Sequence, residues 1–346
     1  MESPLPRAIE TVSYPDNGNA NPPAGRVSRL NQTIPRGLGV FDLLMRLRGT
    51  FRVTSVSDNA GTINPENPAT LIDNLQIITD TDGTIVNMAG RELYKHIAVR
   101  KGIRPDRTQV QAGQILANGD YAFDVNLSIP FVDHRLKRGV DLIWDTRRYN
   151  SIELVITWGN PTSIVAGSGS TLTLMDVNLD VAFRQTPSLV PGSDAPYMVQ
   201  DIRTFQKDVT VTDADFLLPL TYGAGLRCRR ITMHTLQETA IGQGPTLVGV
   251  NNILNFVGLR TNLGPVIVQK VRAPQLQAIN REDYQLENWF AGMYVLDFSL
   301  ERSLKSTIFL GRNTLTEFAL VLDVTKQANL NRVIAVVEYL KQLRPF

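Results

Sequence analysis

Hydrophobic and polar residues alternate over long stretches of this 346-residue chain, which is typical of β-strands with one buried face. The clearest stretch begins at residue 41, where two sets of side chains point in opposite directions. The apolar set is Phe41, Leu43, Met45, Leu47, Phe51 and Val53, and the polar set is Asp42, Arg46, Arg48, Thr50 and Arg52. The pattern predicts a half-buried strand that carries three arginines on its outward face.

The remainder of the first half predicts more strands and one short helix. Further strands are predicted at 71–78, 84–88, 121–132, 151–159 and 171–183. The first two flank an Asp-Gly turn, which indicates a hairpin. Residues 89–102 place Leu93 and Ile97 on one helical face and stop at Gly102, so they predict a short amphipathic helix.

The second half repeats this order of strands, one helix and more strands. Its strands are predicted at 207–220, 226–236, 250–259, 265–271, 293–303, 306–311, 317–325 and 332–340, and a helix over 274–289 begins with a proline. The stretch GDYAFDVNL at 119–127 recurs in part as GMYVLDFSL at 292–300. Other strands match in the same order, with Leu47 on Met233 and 178–182 on 336–340. We predict two tandem domains of the same strand order, with chance similarity between short apolar strands as the alternative.

Two segments rich in proline and glycine mark the predicted boundaries. Residues 1–36 have few apolar anchors, so they predict an N-terminal arm that is either a solvated tail or docked on another surface. Residues 185–200 predict an inter-domain linker. The domains are therefore predicted at 37–184 and 201–346.

Composition indicates a folded soluble protein. Hydrophobic residues make up 43% and charged residues 20% of the chain, and the net charge of +2 argues against a dedicated nucleic-acid binder. The lone Cys228 excludes an intrachain disulfide framework. No apolar run is long enough to cross a bilayer.

The chain has no motif for catalysis, a cofactor or a metal ion. None of His96, His134 and His234 has a partner at metal-ligand spacing, and His96 is expected to be solvated. No nucleophile elbow and no phosphate-binding loop is found. We therefore predict no enzymatic activity, no cofactor and no metal.

One basic stretch, residues 134–149, has an ambiguous composition. It interleaves basic and aromatic residues, among them Arg135, Lys137, Arg138, Trp144, Arg147 and Arg148. This composition suits a polyanion surface. Asp141 and Asp145 interrupt the positive charge and favour a loop that makes salt bridges between subunits.

The chain resembles the double jelly-roll major capsid proteins of tailless icosahedral viruses with an internal membrane, the lineage of tectiviruses and adenovirus hexon. The resemblance is carried by LIDNLQIITDTDGTIVNMAGRELYKHI and by GDYAFDVNLSIPF followed by SIELVITWG. In the second half it is carried by MYVLDFSL, NTLTEFALVLDVT and VIAVVEYL. It covers nearly the whole chain from about residue 37.

This resemblance implies an all-β chain of two tandem eight-stranded jelly rolls, with a short helix in each half and an extended N-terminal arm. It further implies a structural coat protein, made in the host cytoplasm, whose homotrimers form pseudo-hexagonal capsomers of the virion. A viral spike or receptor-binding protein and a carbohydrate-binding β-sandwich are the alternatives.

The resemblance also suggests partners for particular arginines. Arg7, Arg26, Arg29 and Arg36 of the arm would contact the internal membrane or a neighbouring capsomer. The outward Arg46, Arg48 and Arg52 would lie at subunit interfaces. Other partners would be minor capsid and penton proteins, without specific nucleic-acid binding.

Overall fold

The chain contains two compact units. Unit 1 comprises Met1–Asp133, Ile143–Ala195 and Thr239–Thr246, and unit 2 comprises His134–Leu142, Pro196–Glu238 and Leu247–Phe346. The computed structural model describes residues 5–14, 29–34, 36–37, 39–55, 62–63, 66–105, 118–133, 135–136, 142–159, 164–166, 170–186, 198–239, 246–261, 264–286, 288–299, 304–311 and 315–342.

Unit 1 is built from two antiparallel four-stranded sheets and one helix. Its strands are β1 (Leu5–Tyr14), β2 (Arg29–Thr33), β3 (Gly39–Ser55), β4 (Thr62–Ile63), β5 (Ile72–Thr79), β6 (Gly83–Met88), β7 (Gly119–Pro130), β8 (Trp144–Asp145), β9 (Ile152–Trp158), β10 (Val165–Ala166) and β11 (Ser170–Thr186). The two main sheets have the orders β1-β11-β3-β7 and β2-β9-β5-β6. The short strand β8 pairs with β3, and β4 pairs with β10 in a separate two-stranded sheet. Helix α1 (Gly90–Lys101) follows β6.

Unit 2 repeats this arrangement. Its strands are β12 (Met198–Asp208), β13 (Asp213–Pro219), β14 (Leu226–Thr239), β15 (Thr246–Gly249), β16 (Leu254–Thr261), β17 (Gly264–Arg272), β18 (Met293–Asp297), β19 (Ile308–Phe309), β20 (Phe318–Val324) and β21 (Asn331–Gln342). One sheet has the order β12-β21-β14-β18, and the other has the order β13-β20-β16-β17. Helix α2 (Ala273–Tyr284) follows β17.

The two units therefore share one strand order, that of a jelly roll. In chain order, the first, eighth, third and sixth main strands form one sheet, and the second, seventh, fourth and fifth form the other. The predicted all-β fold of two eight-stranded jelly rolls, each with one short helix, is confirmed.

The repeat predicts the order of the strands but not their register. In unit 1, Leu47 pairs with Val125 on one side and with Leu179 on the other. The sequence match aligns these three residues with Met233, Phe298 and Val337. It would therefore place Met233 opposite Phe298 and Val337. The structure instead pairs Met233 with Tyr294, four positions earlier, and with Ala335, two positions earlier. Both shifts are even, so each side chain stays on the face that the match assigned to it.

Residues 5–14 and 29–33 of the N-terminal segment are extended, as predicted, but they form strands of unit 1. Strand β1 pairs with β11 from Leu5 to Tyr14, and β2 pairs with β9 from Arg29 to Thr33. The predicted start of the first domain at residue 37 is thus too late. Edge strands are fixed by backbone hydrogen bonds, which need no apolar anchors, so the hydrophobic pattern missed them.

The helices form largely where the pattern placed them. Helix α1 ends at Gly102, which adopts a left-handed conformation with φ of 70°. Helix α2 has a proline in its first turn but ends at Tyr284, five residues before the predicted end. Gln285 takes a left-handed conformation with φ of 54°, which terminates the helix.

The predicted linker is shorter in the structure. Strand β11 extends to Thr186 and β12 begins at Met198. The predicted strand over 207–220 is two strands, because β12 ends at Asp208 and β13 begins at Asp213. These differences lie at element ends, where composition alone is least informative.

Alternation along β3 gives unit 1 its core as predicted. Leu43, Met45, Leu47, Phe51 and Val53 are buried, whereas the three arginines on the other face are exposed. Asp42 departs from the prediction because it is buried and ion-paired with Arg184. A register irregularity between the pairs Asp42↔Arg184 and Val40↔Gln185 breaks the alternation at this end of the strand.

Deleting residues 1–36 is expected to destabilise unit 1, because β11 and β9 would each lose a neighbouring strand. The Tm should fall by at least about 5 °C and aggregation should increase, as followed by thermal unfolding and light scattering. Deleting only residues 1–4 leaves both strands intact and serves as the control. Equal Tm values for the two truncations would contradict this arrangement.

Candidate assembly surface and buried ion pairs

The outward face of the sheet β1-β11-β3-β7 carries ordered ion pairs. Arg52 Nε lies 2.7 Å from Asp120 Oδ1, and Asp120 is directly opposite it on β7. Arg46 Nε donates to Asp124 at 3.0 Å, also on β7. The three arginine side chains remain 46–51% exposed.

Arg48 extends this pattern to the other neighbouring strand. Its Nε lies 3.3 Å from Asp180 Oδ2 on β11. We call the set Arg46, Arg48, Arg52, Asp120, Asp124 and Asp180 the charged face. Arginines and carboxylates are equal in number there, so it is a patterned polar surface without net charge.

The individual pairs of the charged face contribute little to stability. The hydrogen bond from Arg52 lowers the pKa of Asp120 below its usual value. Both side chains are exposed, however, so water and salt screen the pair. The face can therefore recognise a complementary surface with little cost to the fold of unit 1.

The predicted basic stretch is divided in the structure. Arg135 belongs to unit 2, where Nη2 donates to the Asp283 carbonyl at 2.6 Å and the guanidinium lies 4.6 Å from the centre of the Tyr284 ring. Lys137 and Arg138 lie outside the described residues.

The other residues predicted from this stretch, Trp144, Arg147 and Arg148, belong to unit 1. Trp144 is buried and stacks on Phe131 with ring centres 4.7 Å apart, so its ring is not available to a partner. Arg147 forms a two-point ion pair with Asp145, at 2.8 and 2.9 Å. Arg148 lies 3.8 Å from Asp82 and remains partly exposed.

The arginines predicted to belong to the arm lie in different settings. Arg7 and Arg29 lie within β1 and β2, and Arg26 lies outside the described residues. Arg36 is exposed and Nη1 donates to the Tyr149 carbonyl at 3.0 Å. These residues do not form one continuous flexible segment, because two of them belong to paired strands.

A buried ionic network in unit 2 escaped the sequence analysis. Arg229 and Arg230 both contact the Glu338 carboxylate, at 3.2 and 3.0 Å. Arg230 also contacts Asp297 Oδ2 at 2.8 Å, and the Tyr284 hydroxyl donates to the same oxygen at 2.7 Å. Two cations and two anions therefore balance each other. The only sequence signal was the adjacent arginines in RCRR at 227–230.

This network has a strong effect on its acidic groups. Burial alone would raise the pKa of Asp297, but the guanidiniums of Arg230 and Arg229 outweigh it and hold the pKa well below its usual range. Burial raises the pKa of Tyr284, so its hydroxyl stays protonated and donates. The Asp297 carboxylate is thereby held in its charged form.

Unit 1 also buries charged pairs, mostly on α1. Lys95 Nζ lies 3.1 Å from Glu66, and Arg100 lies 2.8 Å from Asp133. Burial alone would raise the pKa of Glu66, but Lys95 lowers it on balance. His96 is buried on the same helix, so the expectation of a solvated side chain is wrong. The helix is enclosed on more than its apolar face, which its short amphipathic pattern did not indicate.

The described part of the chain holds no group of three or more His, Cys, Asp or Glu side chains arranged to bind a metal ion. None of its helices is long and apolar enough to span a bilayer. The thiol of Cys228 is buried, and burial raises its pKa well above the usual value.

Replacing Glu338 with glutamine is expected to lower the free energy of unfolding by about 3–5 kcal/mol, because two buried arginines lose their shared anion. Urea unfolding at neutral pH measures the change. Asp208→Asn is the matched control, since it breaks the partly exposed Asp208–Arg332 pair at the other end of β21 and should cost under about 1 kcal/mol. Equal losses for the two variants would contradict the assignment.

Acidification is expected to remove the contribution of Asp297. Its folded pKa is lowered, so this contribution is present above the unfolded pKa of about 3.9 and is lost as the pH falls through the folded value. Unfolding free energy should therefore decline below about pH 4, and less steeply in Asp297→Asn. Asp120→Asn is the control. At high salt, which screens exposed pairs, its unfolding free energy should depend on pH as steeply as that of wild type. The same slope in wild type and Asp297→Asn would contradict this prediction.

Solved structures of viral proteins are similar to this chain. The major capsid protein (MCP) of STIV matches with a TM-score of 0.68 and 14% identity, over 98% of this chain and 96% of that chain. A chain from the atomic structure of Sulfolobus Turreted Icosahedral Virus matches with a TM-score of 0.71 and 14% identity, over 98% and 91%.

A third match is the major capsid protein P2 from bacteriophage PM2. It has a TM-score of 0.55 and 15% identity, over 98% of each chain. No family model and no curated protein sequence matches the chain. The matches to solved structures cover nearly the whole of each chain, and both units have the same eight-stranded order. The chain therefore has the double jelly-roll fold of these major capsid proteins.

Proposed function

We propose that the chain is the major coat protein of an icosahedral virus, located in the virion and without enzymatic activity. One observation carries the proposal: two successive jelly rolls of the same strand order make up almost the whole chain, as in the capsid proteins to which it is similar. Little of the described chain is left over for a separate functional domain.

The repeat gives a physical reason for a trimer. Three copies of a chain with two like units present six similar units around one axis, so a homotrimer can occupy a six-neighbour position in a shell. Closed rings of this kind need heterologous contacts, in which two different surfaces of the chain meet. A pseudo-hexagonal capsomer follows from such a ring.

The charged face of unit 1 is the surface that we assign to contact with other copies. Its arginines are held in fixed positions by Asp120, Asp124 and Asp180, and they remain about half exposed. Patterned charges of this kind select partners and set register more than they add affinity. Arg135, Arg147 and Arg148 would extend such contacts at loops, together with Lys137 and Arg138.

The N-terminal segment would supply the contact with an internal membrane. Arg26 lies in the segment 15–28 between β1 and β2, Arg7 and Arg29 lie in the flanking strands, and Arg36 is exposed. Arginines suit anionic lipid headgroups. Minor capsid and penton proteins would be the other partners. Specific nucleic-acid binding is not proposed, since the net charge is only +2.

The purified chain is expected to form trimers that pack into sheets or shells. Size-exclusion chromatography with light scattering gives the mass, and electron microscopy shows the assemblies. A monodisperse monomer at micromolar concentration would contradict the coat function and favour a carbohydrate-binding β-sandwich. Trimers that never associate further would instead favour a receptor-binding spike.

The triple variant Arg46→Gln, Arg48→Gln, Arg52→Gln tests the charged face. It removes the ion-pair partners of Asp120, which is exposed, and of Asp124 and Asp180, which are partly exposed. The variant should fold with a Tm near that of wild type but assemble at least about tenfold more weakly. Light scattering across protein concentration measures the difference. Arg332→Gln, which breaks a pair outside this face, is the control. Unchanged assembly of the triple variant would remove the face from the interface.

A further inference from the structure

Among the described residues, the outer edge of strand β18 is covered by side chains and not by a neighbouring strand. On one side β18 pairs with β14 from Met293 to Asp297. On the other side it faces helix α2 and the turn that follows. An unpaired strand edge is a template for strand addition from another chain, so what covers this edge matters for self-association.

Asn280 of α2 binds both backbone groups of Val295. The Val295 N–H donates to Asn280 Oδ1 at 2.8 Å, and Asn280 Nδ2 donates to the Val295 carbonyl at 2.9 Å. A single amide side chain thus reproduces the reciprocal pair of hydrogen bonds that a strand residue would make. Asn280 is 3% exposed, so water does not take its place.

The backbone groups of Met293 are also satisfied, the carbonyl by two side chains and the N–H by the preceding turn. Its carbonyl accepts from Trp289 Nε1 at 2.7 Å and from Gln277 Nε2 at 3.2 Å, and its N–H donates to the Phe290 carbonyl at 3.3 Å. Asn251 Oδ1 in turn accepts from Gln277 Nε2 at 2.9 Å. The amide that contacts the edge is therefore itself held in position.

The spacing of these side chains along α2 matches the strand. Gln277, Asn280 and Tyr284 lie three and then four residues apart, so they share one helical face. They contact Met293, Val295 and Asp297, which are alternate residues of β18. One face of the helix thus follows one edge of the strand.

We propose that α2 acts as a surrogate edge strand, whose side-chain amides prevent strand addition to β18 by a second copy of the chain. Copies then associate through side-chain surfaces and not through this sheet edge. Asn280 is the residue that determines this specificity, because it alone occupies both backbone groups of Val295. The proposal rests on the proposed function only in assuming that copies come together in an ordered way.

Unit 1 uses a different side chain beside the corresponding strand. Helix α1 packs on β7, and Arg100 Nη2 donates to the Pro130 carbonyl at 3.0 Å. Arg100 is also paired with Asp133. The helix is conserved in position between the units, whereas the amide arrangement around Asn280 is described only in unit 2.

Hydrogen exchange of the intact wild-type chain tests the arrangement without any variant. The Val295 amide should exchange as slowly as the amides of Tyr294 and Leu296 within the same strand. Fast exchange of Val295 alone would show that the edge is open and would overturn the proposal, whatever the oligomeric state. A failure of trimer formation with a slow Val295 amide would count against the proposed function only.

Asn280→Leu tests the consequence for association. It keeps the side-chain size but removes both hydrogen bonds, so Val295 exchange should accelerate about tenfold or more. The variant should form concentration-dependent aggregates that bind thioflavin T. Leu276→Ala, a buried position of the same helix, is the control for simple destabilisation. Equal aggregation of the two variants at matched unfolding midpoints would overturn the proposal.

Asn280→Asp covers the case in which the leucine variant does not fold. An aspartate keeps the acceptor for the Val295 N–H and loses the donor to the carbonyl. Its Val295 exchange rate and its aggregation should lie between those of wild type and those expected for a variant that lacks both hydrogen bonds. Behaviour identical to wild type in both measurements would overturn the assignment of Asn280.

Discussion

The need to pair every backbone donor and acceptor in a buried strand is the constraint on which this structure depends. Each sheet can bury apolar side chains only while its strands have neighbours. The sheet edges therefore determine which other segments of the chain must pack beside them. Residues 5–14 and 29–33 become strands because β11 and β9 require them. The same requirement places a helix with amide side chains beside the edge of β18 that no strand in the described part of the chain covers.

Buried charged groups also favour the correct pairing of strands. Glu338 lies between Arg229 and Arg230, and the cost of burying these ions is offset only while the set is complete. A misplaced strand would leave one of these charges without its counter-ion. Such networks therefore penalise incorrect pairing of β14 and β21 more than they stabilise the correct one. The pairs of the charged face carry no comparable penalty, which is one reason why we propose this face for recognition.

The sequence predicted the fold well because its strongest signals are periodic. The alternation along β3, the Asp-Gly hairpin and the two helices all concern residues close together in the chain. The buried pairs joined residues such as Arg230 and Glu338, more than a hundred positions apart, and no local pattern could indicate them. Trp144 shows a related limit. The basic and aromatic composition of residues 134–149 suited a surface, whereas the Trp144 ring lies in the interior.

The even displacement between the two halves has a consequence for how such a chain can change. When a strand shifts its register by two residues, the same side chains still face the core. The loop lengths of the two halves can therefore differ in a way that shifts register by two without exchanging buried and exposed positions. A step of one residue needs a local distortion, as the irregular pairing near Asp42 illustrates. The two halves are therefore best compared through their inward and outward pattern, which an even displacement leaves unchanged.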